Sequence, residues 1–271
     1  MKVYNLGCST VKDGCKNYTR EDYFAILEQY HELGVRHIEY SHPQTMSEED
    51  AAVIAHYSDR IGLQTWSVHG CPWGQNRSEL EFEAQIAHDA KIASILGAQV
   101  MVFHPMEKNE DGSIRWEIYE KVAYVAKQAG IELAIETGIP TQTGVTLYRE
   151  LIALVDRISL SHVGICIDTG HSFLRDNPKV EEVVEAVGDR LKSMHIHDNG
   201  GLRDDHQAPG LGFINWYKVI PALKASSYDG PLMMEMTDMK QGRTVDLLAK
   251  MTIDREILYG DALFRYIWNH C

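Results

Sequence analysis

The chain alternates between short apolar stretches rich in Val, Ile and Leu and longer amphipathic stretches, with polar loops between them. The lengths and spacing of the apolar positions predict strands for the former and helices for the latter. The predicted strands cover residues 2–7, 35–40, 63–69, 99–104, 131–136, 162–168, 191–197 and 231–236. The predicted helices lie near residues 20–33, 47–60, 77–96, 115–129, 144–157, 179–189, 214–225 and 244–268.

Local sequence signals support several of these boundaries. The segments "SEED" at 47–50 and "SELE" at 78–81 are typical of helix starts, because a Ser cap is followed by acidic residues in the first turn. Helix-ending glycines are also predicted, because each follows an amphipathic stretch and precedes an apolar one. These are Gly34, Gly62, Gly97 and Gly130.

Eight strand–helix alternations without an intervening linker predict an α/β protein with one (β/α)8 TIM barrel domain over residues 1–271. The alternative is a doubly wound open sheet, which normally uses fewer strands. Its nucleotide-binding form has a GxGxxG motif after the first strand. The corresponding segment here, "NLGCSTVKDG", lacks that motif.

Metal-binding residue types lie at the ends of the predicted strands, where a barrel of this kind places its active site. Closing the barrel would bring these ends together, although they are far apart in the sequence. His195 and His197 would point to the same face, because side chains alternate along a strand. The strand-end residues are His69, His104, Glu136, Asp168, His195, His197 and Glu235.

The acidic residues in this set need a partner if they are buried, because an unpaired buried charge is costly. Salt bridges are one solution, but the predicted strands contain few basic residues, namely Lys2, Arg36 and Lys192. A divalent cation is the other solution, and we favour it. A set of carboxylates with imidazole suits Mn²⁺, Mg²⁺, Co²⁺ or Zn²⁺. The Gly-rich segment 198–212 is expected to fold over the barrel mouth with Asp204 and His206.

Composition and charge indicate which class of partner and which cellular compartment to expect. The 271 residues carry a net charge of −13 and no basic run, which favours a small-molecule substrate over nucleic acid. The sequence contains no run of about 18 apolar residues, so no membrane span is predicted. The polar residues near its start argue against a secretory signal. Five cysteines without a CxxC pair are typical of reduced thiols, so we expect a cytoplasmic protein. The sequence leaves association into a homo-oligomer open.

Several segments resemble, in order along the chain, the motifs of the xylose isomerase-like barrel superfamily. They are "VFHP", "AIETG", "ICIDTGHSF", "MHIHDNGG", "DDHQAPGLGFINW" and "MMEM". The superfamily includes sugar and sugar-phosphate isomerases and epimerases, inosose dehydratases and the endonuclease IV group. If the chain is similar to the isomerases and epimerases, the resemblance implies one divalent ion held by Glu136, Asp168, His195 and Glu235. We expect this ion to be Mn²⁺, with Zn²⁺, Co²⁺ or Mg²⁺ as alternatives.

The resemblance further implies proton transfer next to a substrate carbonyl through a metal-stabilised enediolate. Glu136 and Glu235 would exchange the proton, giving epimerisation, aldose–ketose isomerisation or dehydration according to where it returns. Trp216 is expected to anchor a helix, and Arg175 is a further loop candidate for a phosphate. The expected substrate-contacting residues are His69, His104, His171, His197, Trp73, Arg203 and His206.

The nuclease branch remains an alternative, because its three-metal cluster uses a larger ligand set that this chain also contains. That set maps onto His69, His104, Glu136, Asp168, His171, His195, Asp204, His206 and Glu235. The acidic net charge, the short loops and the lack of basic runs count against a duplex substrate. A sugar-binding protein without turnover is a third possibility, which the presence of both Glu136 and Glu235 disfavours.

Overall fold

Eight parallel strands form a nearly closed barrel with helices between successive strands, which confirms the predicted (β/α)8 fold. The computed structural model describes residues 2–11, 18–41, 43–70, 79–106, 108–139, 147–174, 179–237 and 252–271. The strands are β1 (Leu6–Ser9), β2 (His37–Ser41), β3 (Gln64–His69), β4 (Val100–Phe103), β5 (Glu132–Glu136), β6 (Val163–Asp168), β7 (Leu191–His195) and β8 (Leu232–Met234).

The helices of the described ranges cover the outside of this barrel. They are α1 (Arg20–Glu32), α2 (Glu48–Arg60), α3 (Glu79–Ile95), α4 (Trp116–Gln128), α5 (Tyr148–Ile158), α6 (Thr169–Phe173), α7 (Val180–Val187), α8 (Trp216–Ala225) and α9 (Ile253–His270). A single 3-10 turn, Gly188–Arg190, leads into β7. None of the helices in the described ranges is long and apolar enough to cross a membrane.

Strand pairing follows the order β7-β6-β5-β4-β3-β2-β1-β8. The barrel closes between β7 and β8 through a short parallel bridge just beyond the end of β7. There the Ile196 amide donates to the Met233 carbonyl at 2.8 Å, and the Glu235 amide donates to the Ile196 carbonyl at 3.1 Å. This closure places the end of β7 beside Glu235.

The inner face of the barrel changes from apolar to polar along the strand direction. Ala134 of β5 and Cys166 of β6 belong to a small apolar cluster inside the barrel. Glu136 and Asp168 follow two positions later on the same strands, so they share this inward face. Because side chains on one face of a strand recur every two residues, the carboxylates of Glu136 and Asp168 lie next to this apolar cluster, on the side of the barrel mouth.

Most predicted boundaries agree with the structure to within a few residues. Ser47 caps α2 by accepting a hydrogen bond from the Asp50 amide at 3.0 Å. The four predicted helix-ending glycines have positive φ angles, as a left-handed helix end requires. Ser78, the other predicted cap, lies outside the described residues.

Two elements differ from the prediction. The first strand covers Leu6–Ser9 rather than 2–7, because its neighbours begin only at the level of Leu6, which pairs with Leu232. The short helix α6 was not predicted, and its start is fixed by Asp168, whose Oδ1 accepts the His171 amide at 2.7 Å. Of the five cysteines, Cys8, Cys166 and Cys271 are free thiols, while Cys15 and Cys71 lie outside the described residues.

Candidate metal centre

Four acidic and imidazole side chains, at the ends of β5, β6 and β7 and directly after β8, meet at the mouth of the barrel. Glu136, Asp168, His195 and Glu235 each offer a ligand atom, and these atoms all lie within 4.8 Å of one another. We call this set the central group. All four residues are buried, the most exposed being Glu235 at 4%. The structure thus brings together the four residues that the sequence analysis selected as ligands.

His195 Nδ1 lies at the middle of the central group. It is 2.8 Å from Glu136 Oε1, 3.3 Å from Glu235 Oε2 and 4.0 Å from Asp168 Oδ2. One nitrogen therefore faces three carboxylates in a site without bulk water. A positive charge is required at this point, and either a proton on the imidazole or a metal ion can supply it.

His69 and His104 lie on the other side of Glu136 and form a second group with it. His104 Nε2 is 3.1 Å from Glu136 Oε2, and His69 Nε2 is 3.5 Å from the same oxygen. His69 also reaches Glu235, with its Nδ1 at 3.6 Å from Oε1. Glu136 is consequently shared between the central group and this second one.

A third group is built around Asp204 in the loop that follows β7. The Nε2 atoms of His171 and His206 lie 3.2 Å and 3.1 Å from Asp204 Oδ2. The Nδ1–H of His171 donates to the Thr137 carbonyl, and the Nδ1–H of His206 donates to the Glu235 carbonyl, both at 2.9 Å. These bonds leave Nε2 as the nitrogen that faces the site, which is the usual arrangement for a metal-ligating histidine.

His197 joins the central and third groups. Its Nε2 lies 3.0 Å from Asp168 and 3.7 Å from Asp204 Oδ1, and its ring stacks on His206 with centroids 3.9 Å apart. Gly170 makes room for it, since a Cβ there would lie 1.9 Å from His197 Cε1. The glycine of the "DTGH" segment is therefore required by close packing of the α6 backbone on an imidazole.

The loop carrying Asp204 and His206 is anchored by the buried carboxylate of Asp198. It accepts hydrogen bonds from the amides of Asn199 (2.9 Å), Gly210 (2.9 Å) and Ile214 (3.1 Å), and from Trp216 Nε1 (2.8 Å). These four donors satisfy both oxygens of the buried carboxylate. Asp198 thus connects both ends of the loop to the segment that directly follows β7.

The electrostatics of the centre follow from burial and from mutual charge. Burial alone favours a neutral imidazole, but the carboxylates of Glu136 and Glu235 raise the pKa of His69 to about 9. Burial likewise opposes ionisation of Glu136, yet the charge of His195 and hydrogen bonds from His195 and His69 hold its pKa well below the usual value. His104 differs, because burial lowers its pKa to about 4 and leaves the ring neutral at pH 7.

The remaining predicted residues have more varied positions. Trp216 is buried and packs on Phe264 with ring centroids 5.0 Å apart, which confirms that it anchors a helix. Arg203 is exposed on the loop between Asn199 and Asp204, and its contact with substrate stays a prediction. Trp73 and Arg175 lie outside the described residues.

Sequence reasoning missed two buried acids near the centre. Glu39 of β2 has no exposed surface and lies 3.0 Å from His195 Nε2. The signal that selected Glu136, an acid within an apolar strand, was equally present at Glu39 in "HIEY". The role of Asp198 had no comparable signal, because it depends on how a distant part of the loop folds back.

A family comparison agrees with this architecture. Residues 27–256 match the family described as xylose isomerase-like TIM barrel. The chain belongs to this family. The match covers every strand from β2 to β8 and all the residues of the three groups.

Proteins that are similar to this chain in structure or sequence include an epimerase, a zinc-binding protein and an endonuclease. A D-psicose 3-epimerase solved in the presence of D-fructose superposes with a TM-score of 0.80 at 20% identity, covering 99% of both chains. The IOLI protein with a binding zinc atom gives a TM-score of 0.74 at 18% identity, covering 99% of this chain and 98% of that one. An apurinic-apyrimidinic endonuclease of Caenorhabditis elegans is 29% identical over 185 residues, covering 60% of this chain and 46% of the endonuclease. At these identities the two structures show a common fold.

Proposed function

We propose that this family member is a divalent-metal-dependent isomerase or epimerase of a sugar or sugar phosphate. The observation that carries the proposal is the central group, in which two glutamates, an aspartate and a histidine offer ligand atoms within 4.8 Å of one another. Support comes from two neighbours that match over nearly their whole length, one an epimerase of a ketose and the other a zinc-containing protein.

The chemistry of the central group fits a divalent ion. It combines three carboxylates with one imidazole, a donor set that suits Mn²⁺, Co²⁺, Zn²⁺ or Mg²⁺. The three carboxylates favour Mn²⁺ or Mg²⁺ over Zn²⁺ and Co²⁺, and we propose Mn²⁺ as the ion. The charge partners of the carboxylates are imidazoles rather than lysines or arginines. Lys192, the basic residue of β7, pairs instead with Glu132 at the opposite end of the barrel, at 2.7 Å.

The two glutamates are the residues that would move the proton. An ion held by the central group supplies Lewis-acid polarisation of a substrate carbonyl, which acidifies the adjacent C–H bond. Glu136 and Glu235 are both held in the ionised form, and a carboxylate in that form can accept a proton from carbon. One glutamate removes the proton and the other returns it. Return to the opposite face of the same carbon gives an epimer. Return to the neighbouring carbon, with a proton passing from the hydroxyl oxygen to the former carbonyl oxygen, gives an isomer.

Exchange of the substrate proton with solvent tests this function directly. The metal-loaded protein is incubated with a panel of ketoses and ketose phosphates in D₂O, and deuterium at the carbon next to the carbonyl is measured. We expect uptake with at least one substrate, and its loss in Glu235→Gln with sugar binding retained. Glu132→Gln is a matched control at the far end of the barrel and should exchange normally. Absence of uptake in the metal-loaded wild type across the panel, or unchanged uptake in Glu235→Gln, would refute the assignment.

A second candidate is a metal-dependent phosphodiesterase that acts on abasic DNA. The observation that favours it is the third group, where His171 and His206 both direct Nε2 at Asp204. Together with His69 and His104 beside Glu136, it supplies donors for two more ions. Support also comes from the partial match to the nematode endonuclease. Three bound zinc ions and nicking of abasic duplex DNA, without deuterium exchange on sugars, would favour this candidate over the first.

A further inference from the structure

Glu39 of β2 reaches across the inside of the barrel to the back of His195. Its side chain has no exposed surface, and Oε2 lies 3.0 Å from His195 Nε2. The same oxygen accepts a hydrogen bond from Ser67 Oγ at 2.7 Å. β2 and β7 are not neighbours in the sheet, so this contact joins two strands through the interior.

The two nitrogens of His195 therefore face different partners. Nδ1 faces the carboxylates of Glu136 and Glu235, and Nε2 faces Glu39. Carboxylate oxygens face both nitrogens, but an ion held by the central group would need the lone pair of Nδ1, so the hydrogen of the neutral imidazole would be on Nε2, where Glu39 accepts it. The lone pair of that tautomer is then on Nδ1, where it points into the central group.

We propose that Glu39 is a positioning residue that fixes the tautomer and ring orientation of His195 as a metal ligand. The inference rests on the metal site proposed above. A histidine that binds a metal commonly donates its other N–H to a carboxylate, and removal of such a partner costs about 10- to 100-fold in metal affinity. Glu39 supplies this carboxylate from the far side of the barrel, with Ser67 holding it in place.

A direct role of Glu39 as a ligand is the competing interpretation. Glu39, His69, His195 and Glu235 also offer ligand atoms within 4.8 Å of one another. An ion bound there through His195 Nε2 would displace the hydrogen that Glu39 accepts. It would also leave Nδ1 to carry a hydrogen towards Glu136 and Glu235, in competition with an ion in the central group. The positioning role avoids this conflict, and the two roles differ in the number of ions bound.

The test compares metal binding of the wild type with Glu39→Ala, Glu39→Gln and the control Glu132→Gln. Affinity for Mn²⁺ is measured by competition with a chelator, and the number of ions at saturation by elemental analysis. We expect about 10- to 100-fold weaker binding in Glu39→Ala with the number of ions unchanged. Glu39→Gln should lose less, because its amide oxygen still accepts a hydrogen bond from Nε2. Glu132→Gln should bind like the wild type.

Each of the other outcomes would overturn the positioning role, either alone or together with the proposed function. Equal affinity in the wild type and both Glu39 variants overturns the positioning role but leaves the metal site intact. The loss of one ion at saturation in Glu39→Ala also overturns it, and makes Glu39 a ligand. A wild-type protein that binds no Mn²⁺ at the central group overturns both this inference and the proposed function. Glu39→Gln nearly preserves side-chain volume, so it provides a folded variant should Glu39→Ala fail to fold.

Discussion

Replacing Asp198 by alanine should destabilise the protein and release the loop that carries Asp204 and His206. The side chain is fully buried and accepts four hydrogen bonds, three of them from backbone amides and one from Trp216 Nε1. Alanine removes every one of these acceptors at once. The donors of Asn199, Ile214 and Trp216 belong to buried residues and would lose their partner away from water.

The expected loss can be estimated from these contacts. A hydrogen bond to a charged group contributes about 1.5–3 kcal/mol, so four such bonds set a lower sum of about 6 kcal/mol. Two effects reduce this figure: the variant no longer buries a carboxylate, and Gly210 is an exposed residue whose amide can bond to water instead. We therefore expect the free energy of unfolding to fall by about 3–5 kcal/mol, a large share of the stability of an ordinary domain.

Urea denaturation of Asp198→Ala and Asp198→Asn measures this loss, with Asp189→Ala as control. Asp189 is an exposed aspartate in the 3-10 turn before β7, and its replacement should change stability by about 0.5 kcal/mol or less. Trypsin cleavage after the exposed Arg203 reports loop order independently and should be faster in both Asp198 variants. A loss below about 1 kcal/mol in Asp198→Ala, with unchanged cleavage, would refute the view that this carboxylate anchors the loop.

Four further predictions concern the metal centre and its surroundings. Gly170→Ala places a methyl group 1.9 Å from His197 Cε1 and should cost about 1–3 kcal/mol, measured by urea denaturation; wild-type stability would contradict the packing argument. Burial opposes the charge on His206, but Asp204 raises its pKa to about 9, as Glu136 and Glu235 do for His69. Because a bound cation displaces these protons, apparent metal affinity should rise from pH 7 to 9 in chelator competition, and a flat profile would contradict this. The free energy of unfolding of the metal-free protein should instead fall as the pH rises. The raised pKa values of His206 and His69 stabilise this fold fully below about pH 6.5, and the contribution is lost as the pH rises through 9. Finally, an ion present at 100 times its dissociation constant adds about 2.7 kcal/mol, so EDTA should lower Tm by about 5–10 °C, and an unchanged Tm would argue against a tightly held ion.

The order of strands and helices could be predicted from the sequence because it depends on local periodicity. Short apolar stretches located all eight strands, amphipathic stretches located the helices between them, and the glycines after the helices marked four of the helix ends. The barrel then followed from the repeat, since parallel strands joined by helices have few ways to close. The shift of β1 to Leu6–Ser9 escaped prediction because a strand begins where its neighbours offer hydrogen bonds, which is not a property of its own residues.

The candidate ligands could also be selected from the sequence, because an acid or histidine at the end of an apolar strand is recognisable without coordinates. Glu136, Asp168, His195 and Glu235 met that criterion, and the barrel brings them within 4.8 Å of one another. Glu39 met it too but was overlooked. Its importance lies in a contact with a residue 156 positions away.

The sequence by itself determined which residue types reach the barrel mouth, since the strand period and the apolar stretch that precedes each acid or histidine are local properties. Only the tertiary structure decided which nitrogen of each histidine faces the centre. His171 and His206 are oriented by backbone carbonyls, and His195 by Glu39 on a non-adjacent strand. A hydrogen bond of this kind depends on distances between groups that no local pattern encodes, so the chemistry of the imidazoles is fixed by the closed barrel rather than by the residues alone.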